Sequence, residues 1–536
     1  MLWYFYGTIG DVNLNLDLAE KYFEDISKKY KDIPNILYEI ANEPNNEWEG
    51  IKEYSNSIIS VIRKYNSDSI IIIPNSNANI RPDTVVLSDL ITSKNIMTSY
   101  HFYAGSHLTK ERMDYLETAM NKKIPIFVTE WGTTLSTGND GFYEINSNVF
   151  VKFMNENMLS WCNFHLGDYD FRIGRKEGVH NGNSAIVQHN KWNNSLDDDI
   201  LTESGKYIKS IMNGTCNSYN NNDFAIMCER DNNTAFWKEE YRKKITYIEF
   251  KEEKSVPDNV LISWDISFIN KIKVYAYIIQ DDTEYKLYIV SDTIISWPIN
   301  SVYLFSDFTN VEKIVFNNIT TSTTRIMSTV FGNDTNLHSI DGLNKFDMSN
   351  VNTIASMFTG CEKMEIIDTT GWNTKNINSM INTFSDCRNL TNIIGIEDWD
   401  VSNVSLMNAM FQQTYNLEEL NLSKWNINNV TSMKFVFAWC GAKSINISNF
   451  NLKKTSNMYN MLYSTKRLEN LYMNNVEIDE SIIENYENIL GQNNINMKIY
   501  VKDAIIAKFI YERIKENSVV ASIFYGSENN WTKFTD

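Results

Sequence analysis

Over residues 16–213 the apolar positions alternate between two periods, one near 3.6 residues and one of short unbroken runs. Leu16 to Tyr30 places Leu18, Ala19, Tyr22, Phe23 and Ile26 on one helical face. The run Ile36-Leu37-Tyr38-Glu39-Ile40 then predicts a buried strand, Tyr54 to Tyr65 a helix, and Ile70 to Ile73 a second strand. The same reading predicts strands over Ile96–Tyr103, Ile124–Thr129 and Leu159–Phe164. Helices are predicted over Lys110–Met120, Ser147–Glu156 and Ser204–Met212. Helices alternating with β-branched runs predict a parallel sheet covered on both faces. With the apolar stretch Met1 to Tyr6 taken as the tail of a strand, about six strands are expected where a closed (β/α)8 barrel needs eight.

The pattern changes after residue 213. Residues 214–235, with Cys216, a run of Asn and Cys228, read as a linker. From 236 to 319 short strands recur, as in Ile245–Phe250 and Lys273–Ile278, which predicts a small β-rich module. Residues 320–478 form a repeat array headed by Phe346, Trp372, Trp399, Trp425 and Phe450, at spacings of 26, 27, 26 and 25 residues. Asn350, Asn376, Asn403 and Asn429 each follow their head by four positions, and Lys454 stands at that place in the last unit. A second anchor comprises Met357-Phe358, Met380 with Phe384, Met410-Phe411 and Met433 with Phe437. Cys361, Cys387, Thr414 and Cys440 lie three positions beyond these phenylalanines. A residue that returns once per repeat stacks on itself, so ladders of Trp, Asn, Phe and Cys are expected inside a solenoid. Ser481–Leu490 and Asp503–Lys515 predict a helical cap over 479–536.

Composition narrows the partners. A net charge of −18 over 536 residues opposes nucleic acid, which requires a basic surface, and leaves neutral polysaccharide open. Six cysteines in so long a chain do not make a disulfide framework, and no apolar run of eighteen residues suggests a membrane span. The first six residues carry no basic leader.

Two glutamates sit where a (β/α) fold does its chemistry. Glu43 in Asn42-Glu43-Pro44 and Glu130 in Thr129-Glu130-Trp131-Gly132 each follow a predicted strand. A pair of carboxylates from different strand ends is what glycoside hydrolysis needs: one protonated to assist the leaving oxygen, one ionised to attack the anomeric carbon. One such glutamate is more often a capping group than a catalyst; two in these contexts favour chemistry. His101 alone reads equally well as a satisfied strand-end histidine. His107 and His165 lack metal-ligand spacing, and the Phe-x-x-Cys positions, a repeat apart, read as a buried ladder rather than a zinc site.

With these residues in view, the chain from about Trp3 to Met212 resembles glycoside hydrolase family 5, in its bacterial cellulase branch. The resemblance rests on Tyr38–Asn45, Tyr100-His101-Phe102-Tyr103-Ala104-Gly105, Thr129–Gly132 and Ser160–Phe164. It implies a partial TIM barrel that acts on β-1,4-glucan with retention, without metal or cofactor. Glu43 would be the acid/base and Glu130 the nucleophile. Asn42 would bond the sugar 2-hydroxyl, His101 support the acid/base and Tyr103 hold the nucleophile. Trp131, Trp161 and Phe164 would complete the substrate contacts. Tyr4, Ser76 and Phe164 depart from the family pattern, and its first two strands and an arginine that orders the nucleophile are not represented. The remainder resembles the BspA-like leucine-rich repeats of bacterial surface proteins, which implies an extracellular location and a host or matrix surface as partner of the repeats. The alternative is a surface adhesion protein carrying a degenerate hydrolase remnant.

Overall fold

The computed structural model describes residues 10–33, 35–136, 142–164, 197–213, 224–268, 272–477, 489–491, 496–516, 521–527 and 530–535. The expected strand at Met1–Tyr6, with Leu2, Trp3 and Tyr4, lies outside these, as do His165, Cys216 and most of the expected helix Ser481–Leu490. The chain divides into two compact units, Met1–Asn222 and Asp223–Asp536.

In the first unit five strands stand side by side in chain order: β1 (Tyr38–Glu39), β2 (Ile71–Ile73), β3 (Ile96–Tyr103), β4 (Ile126–Gly132) and β5 (Ser160–Asn163). Every neighbouring pair is parallel. Helices Trp48–Arg63, Lys110–Asn121 and Glu144–Glu156 make crossovers, with Leu16–Lys29 before the sheet and Glu203–Met212 after β5. A parallel sheet whose order never reverses curls one way, so this is a partial TIM-barrel-like half-barrel rather than a doubly wound sheet. The predicted β3 agrees at both ends. Helix Trp48–Arg63 starts six residues earlier than its apolar period indicated, because Trp48 and Glu49 in the first turn lie outside the buried face of Ile51, Tyr54, Ile58 and Ile62.

One irregularity matters for chemistry. Tyr100 pairs with Val128, but the next residue of β3, His101, pairs with Glu130, so Thr129 is an extra residue in β4. A bulge of this kind re-aims the side chains beyond it. Phe102 and Trp131 stack at 5.4 Å on the face that packs against Phe150 of helix Glu144–Glu156. Period-two alternation sends His101, Tyr103 and Glu130 to the opposite, inner face.

The second unit is β-rich. Strands Ile245–Glu252, Ile262–Asp265, Tyr275–Asp281 and Glu284–Ser291 share one sheet with Lys313–Phe316 and Ser339–Asp341. The expected separate module at 236–319 is therefore continuous with the repeats through this sheet and through one hydrophobic core. The expected linker also needs correction. Phe224–Ile226 pairs with Ile294–Ser296, so the described end of 214–235 belongs to this unit.

The repeats stack as parallel coils, bridged in line through Asn300, Ile326, Thr353, Ser379, Leu406, Ser432 and Asn457. The ladders expected from the spacing are present. Phe331, Phe358, Phe384, Phe411 and Phe437 stack at 5.5–5.8 Å. Trp372, Trp399 and Trp425 stack at 5.7 and 6.3 Å. The Asn350, Asn376, Asn403 and Asn429 side chains each donate to a backbone carbonyl of the coil before. Cys361, Cys387 and Cys440 are buried and free, and the Cys361 and Cys387 thiols donate to carbonyls of the preceding coil. Each coil also turns through two left-handed residues four apart, such as Asn382 and Asp386. The helical cap is corrected to a mixed one. Helix Ala504–Glu516 forms, but Met497–Val501, Ala521–Ser527 and Asn530–Lys533 extend the sheet of the last coils. Among the described residues no helix is long and apolar enough to cross a membrane.

Candidate active site

The C-terminal ends of β1, β3 and β4 bring together three acids and one imidazole. Glu39 lies within β1, its neighbours Tyr38 and Ile40 buried on the other face. Four residues on, Glu43 adopts a left-handed backbone (φ 47°). A non-glycine residue in that region is strained, and such strain gathers at functional sites because the surrounding fold can hold it.

His101 lies at the centre, with its side chain 3% exposed. Its Nδ1 is 3.0 Å from Glu43 Oε1 and 3.9 Å from Glu130 Oε2. Its Nε2 is 3.0 Å from the Thr129 hydroxyl, the bulge residue, and 3.8 Å from Glu39 Oε1, a charge contact beyond hydrogen-bond reach. Burial by itself depresses the imidazole. Glu39 and Glu43, with the charge of Glu130, outweigh it and hold His101 up at about 9. The ring is therefore an imidazolium at neutral pH, donating from Nδ1 to Glu43 and from Nε2 to Thr129. Asn79 brings its amide to 3.5 Å of Nε2 from a turn in which Asn77, Ala78 and Asn79 are all left-handed.

Glu130 accepts a 2.5 Å hydrogen bond from the Tyr103 hydroxyl. One carboxylate oxygen each of Glu43 and Glu130 and one ring nitrogen of His101 all lie within 4.8 Å of one another. Access differs between the acids: the Glu43 side chain is 41% exposed and that of Glu130 15%. Three ligand atoms this close could surround a divalent cation, which would have to displace the proton that His101 shares with Glu43.

The other expected contacts divide. Asn42 adjoins Glu43, and its buried Oδ1 has no hydrogen-bond partner among the described residues. Phe164 packs edge-on to Tyr103 at 6.4 Å and so reaches the carboxylate side. Trp131 does not. Its indole is fully buried between Phe102 and Trp161, because alternation past Glu130 turns it to the helix-covered face. Trp161 meets Trp131 edge-on at 5.6 Å and belongs to that packing rather than to the carboxylates. Ser76 is buried and accepts from the Thr84 hydroxyl at 3.3 Å. His107, expected to be structural, accepts the Tyr103 amide on Nδ1 at 3.1 Å, and burial pulls it down to about 3. Sequence reading missed Glu39, Thr129 and Asn79. Only Glu39 left a signal, a lone acid inside an apolar strand; the other two depend on a bulge and a left-handed turn.

Comparison with known proteins finds relatives of the N-terminal region. The family model described as cellulase (glycosyl hydrolase family 5) matches residues 2–170. Endoglucanase MaCel5A of Microbulbifer sp. (strain ALW1) is 37% identical over 174 residues, covering 31% of this chain and 33% of that protein. Cellulase CelDZ1 of Thermoanaerobacterium sp. is 36% identical over 225 residues, covering 38% of this chain and 56% of its own length. The catalytic domain of Thermobifida fusca endoglucanase Cel5A (E5) aligns at 30% identity and a TM-score of 0.35, covering 39% of this chain and 68% of that one. The chain thus spans from a third to just over half of the curated relatives cited. A second model, described as a Mycoplasma protein of unknown function, DUF285, matches residues 299–395 and 379–499. The N-terminal region therefore carries a cellulase-type domain of glycosyl hydrolase family 5.

Proposed function

We propose that the N-terminal unit cleaves β-1,4-glucan by double displacement, with retention at the anomeric carbon. The observation that carries this is the approach of one Glu43 oxygen and one Glu130 oxygen to within 4.8 Å. Retaining enzymes hold their carboxyls about 5–5.5 Å apart, whereas inverting ones leave about 6.5–9.5 Å for a water. Glu130, kept in place by Tyr103, attacks the anomeric carbon. Glu43, the more exposed acid, protonates the departing glycosidic oxygen and then takes a proton from the water that releases the glycosyl-enzyme. His101 orients Glu43, and Asn42 offers its unpartnered Oδ1 to a sugar hydroxyl. In this reading the repeats are a leucine-rich-type solenoid of the BspA-like kind, which presents the hydrolase outside the cell on a host or matrix surface. The division at 213, 235, 319 and 478 describes regions of the chain rather than independent folds.

The test is product analysis on a soluble β-1,4-glucan. Glu130→Gln should abolish release of reducing ends, and NMR of early wild-type product should show the β-anomer first. Unchanged release by Glu130→Gln, or α-anomer first, sinks the assignment. A second reading, the adhesion protein with a hydrolase remnant, is favoured by one observation. Among the described residues the sheet has five strands, with β1 and β5 at open edges. Wild-type protein without hydrolysis would select it.

A further inference from the structure

The repeat array carries an aromatic cluster that its packing does not require. In successive coils the first left-handed position holds Tyr303, Thr329, Ser356, Asn382, Ala409, Phe435 and Asn460. The second holds Asp307, Asn333, Gly360, Asp386, Gln413, Trp439 and Ser464. Small and amide residues suit this backbone; a bulky ring there is an outlier that costs stability. One coil places two rings at these positions, Phe435 (φ 59°) and Trp439 (φ 56°). Their planes are 16° apart and their centroids 6.4 Å apart.

The next coil answers with two more. The Phe435 amide donates to the Tyr459 carbonyl and the Trp439 amide to the Tyr463 carbonyl, so each tyrosine sits beside one ring. Tyr459 is edge-on to Phe435 at 5.3 Å, and Tyr463 to Trp439 at 5.4 Å. All four are only partly buried, unlike the Phe411 and Phe437 rings of the inner ladder. The coil before the quartet borders it with two amides, Asn408, whose Oδ1 accepts from the Ser432 hydroxyl and the Lys434 amide, and Gln413, whose Oε1 accepts from the Tyr415 hydroxyl at 2.8 Å. Lys434 extends over the Phe435 ring at 5.3 Å.

We propose that Phe435, Trp439, Tyr459 and Tyr463 form a glucan-binding site on the repeat array, separate from the hydrolase unit. A β-linked glucopyranose has its hydroxyls around the rim and its C–H bonds on both faces. Aromatic rings match the faces and side-chain amides the rim. A border of amides rather than paired ions suits an uncharged ligand, and a chain of net charge −18 disfavours a polyanion. Strained backbone carrying partly exposed aromatics marks a surface kept for binding rather than for stability. The choice of β-1,4-glucan among neutral glycans rests on the hydrolase reading of the first unit.

The test is hydroxyl-radical footprinting of the full chain with and without hydroxyethylcellulose, a neutral soluble β-1,4-glucan. Trp439 and Tyr463 should be protected severalfold, while Tyr303, equally left-handed and 52% exposed but outside the quartet, should not change. Equal oxidation of Trp439 in both samples overturns the proposal and leaves a protein surface as the partner. A second variant, Phe435→Ala with Trp439→Gln, installs the residues of the preceding coil, Ala409 and Gln413. It should weaken glucan retention in affinity gels at least tenfold, keep or raise Tm, and leave hydrolysis of a short soluble cello-oligosaccharide unchanged. A large fall in Tm would make the rings core residues and overturn the proposal. Protection of Trp439 in a chain that hydrolyses nothing would uphold this site while refuting the catalytic reading; hydrolysis without protection would do the reverse.

Discussion

Deprotonation of His101 should loosen the first unit in a defined pH window. The imidazole ordinarily titrates near 6.5, and Glu39, Glu43 and Glu130 hold it up at about 9 in the folded chain. Thr129 and Asn79, which also face it, are uncharged. The native state therefore binds this proton more tightly than the unfolded one. The stabilisation is fully present below pH 6.5 and is lost as pH rises through 9. A gap of that size corresponds to roughly 3 kcal/mol, falling at up to about 1.4 kcal/mol per pH unit. The measurement is a urea titration of the full chain with pulsed deuterium labelling, reading the peptide that covers β3, for wild type and His101→Asn. The variant should be much less stable at pH 6, with a deficit that shrinks by about 3 kcal/mol by pH 10. Taking the difference cancels tyrosine, lysine and cysteine titrations common to both. A deficit independent of pH would refute the imidazolium and, with it, the account of how Glu43 is oriented.

Three further outcomes follow from the same contacts. Tyr103→Phe removes the 2.5 Å hydrogen bond to Glu130; loss of a charge-assisted bond of about 1.5–3 kcal/mol should lower kcat/KM roughly 10- to 150-fold on soluble β-glucan, with little change in KM. Trp131→Ala empties a fully buried site and should cost about 3–5 kcal/mol by urea unfolding, a cost that a sugar-contacting surface tryptophan would not show. Asn403→Ala deletes the exposed 2.8 Å bond to the Lys375 carbonyl and should lower the stability of the array by about 0.5–1.5 kcal/mol, whereas Asn403→Asp, which presents acceptors to a carbonyl, should cost at least as much; scanning calorimetry reads both.

Much of the site was legible because its signals are local. An acid at a strand end can be read from one short segment, so Glu43, Glu130, His101 and Tyr103 stood out together. Trp131 was misplaced because adjacency in sequence is not adjacency on a strand: next to Glu130, it faces the other way. Trp161 went with it into that packed layer. Glu39, Thr129 and Asn79 entered the site through features without a sequence period, namely an acid lining a short strand, a one-residue bulge and three left-handed residues in a row.

The array shows the same limit at larger scale. Its period, ladders and asparagine bonds were readable because each coil repeats the same few contacts with its neighbour. The joining of the β-rich module to the first coils and the strands in the C-terminal cap were not, because each depends on pairing partners far along the chain. By itself the sequence determined the alternating elements of the half-barrel, the coil repeat and the strand-end positions of Glu43 and Glu130, all consequences of local pattern. Only the tertiary structure decided which side chains share a face across strands, and so that three carboxylates surround one protonated imidazole. That depends on bulges and left-handed turns, whose energies are set by the contacts around them rather than by the residues that form them.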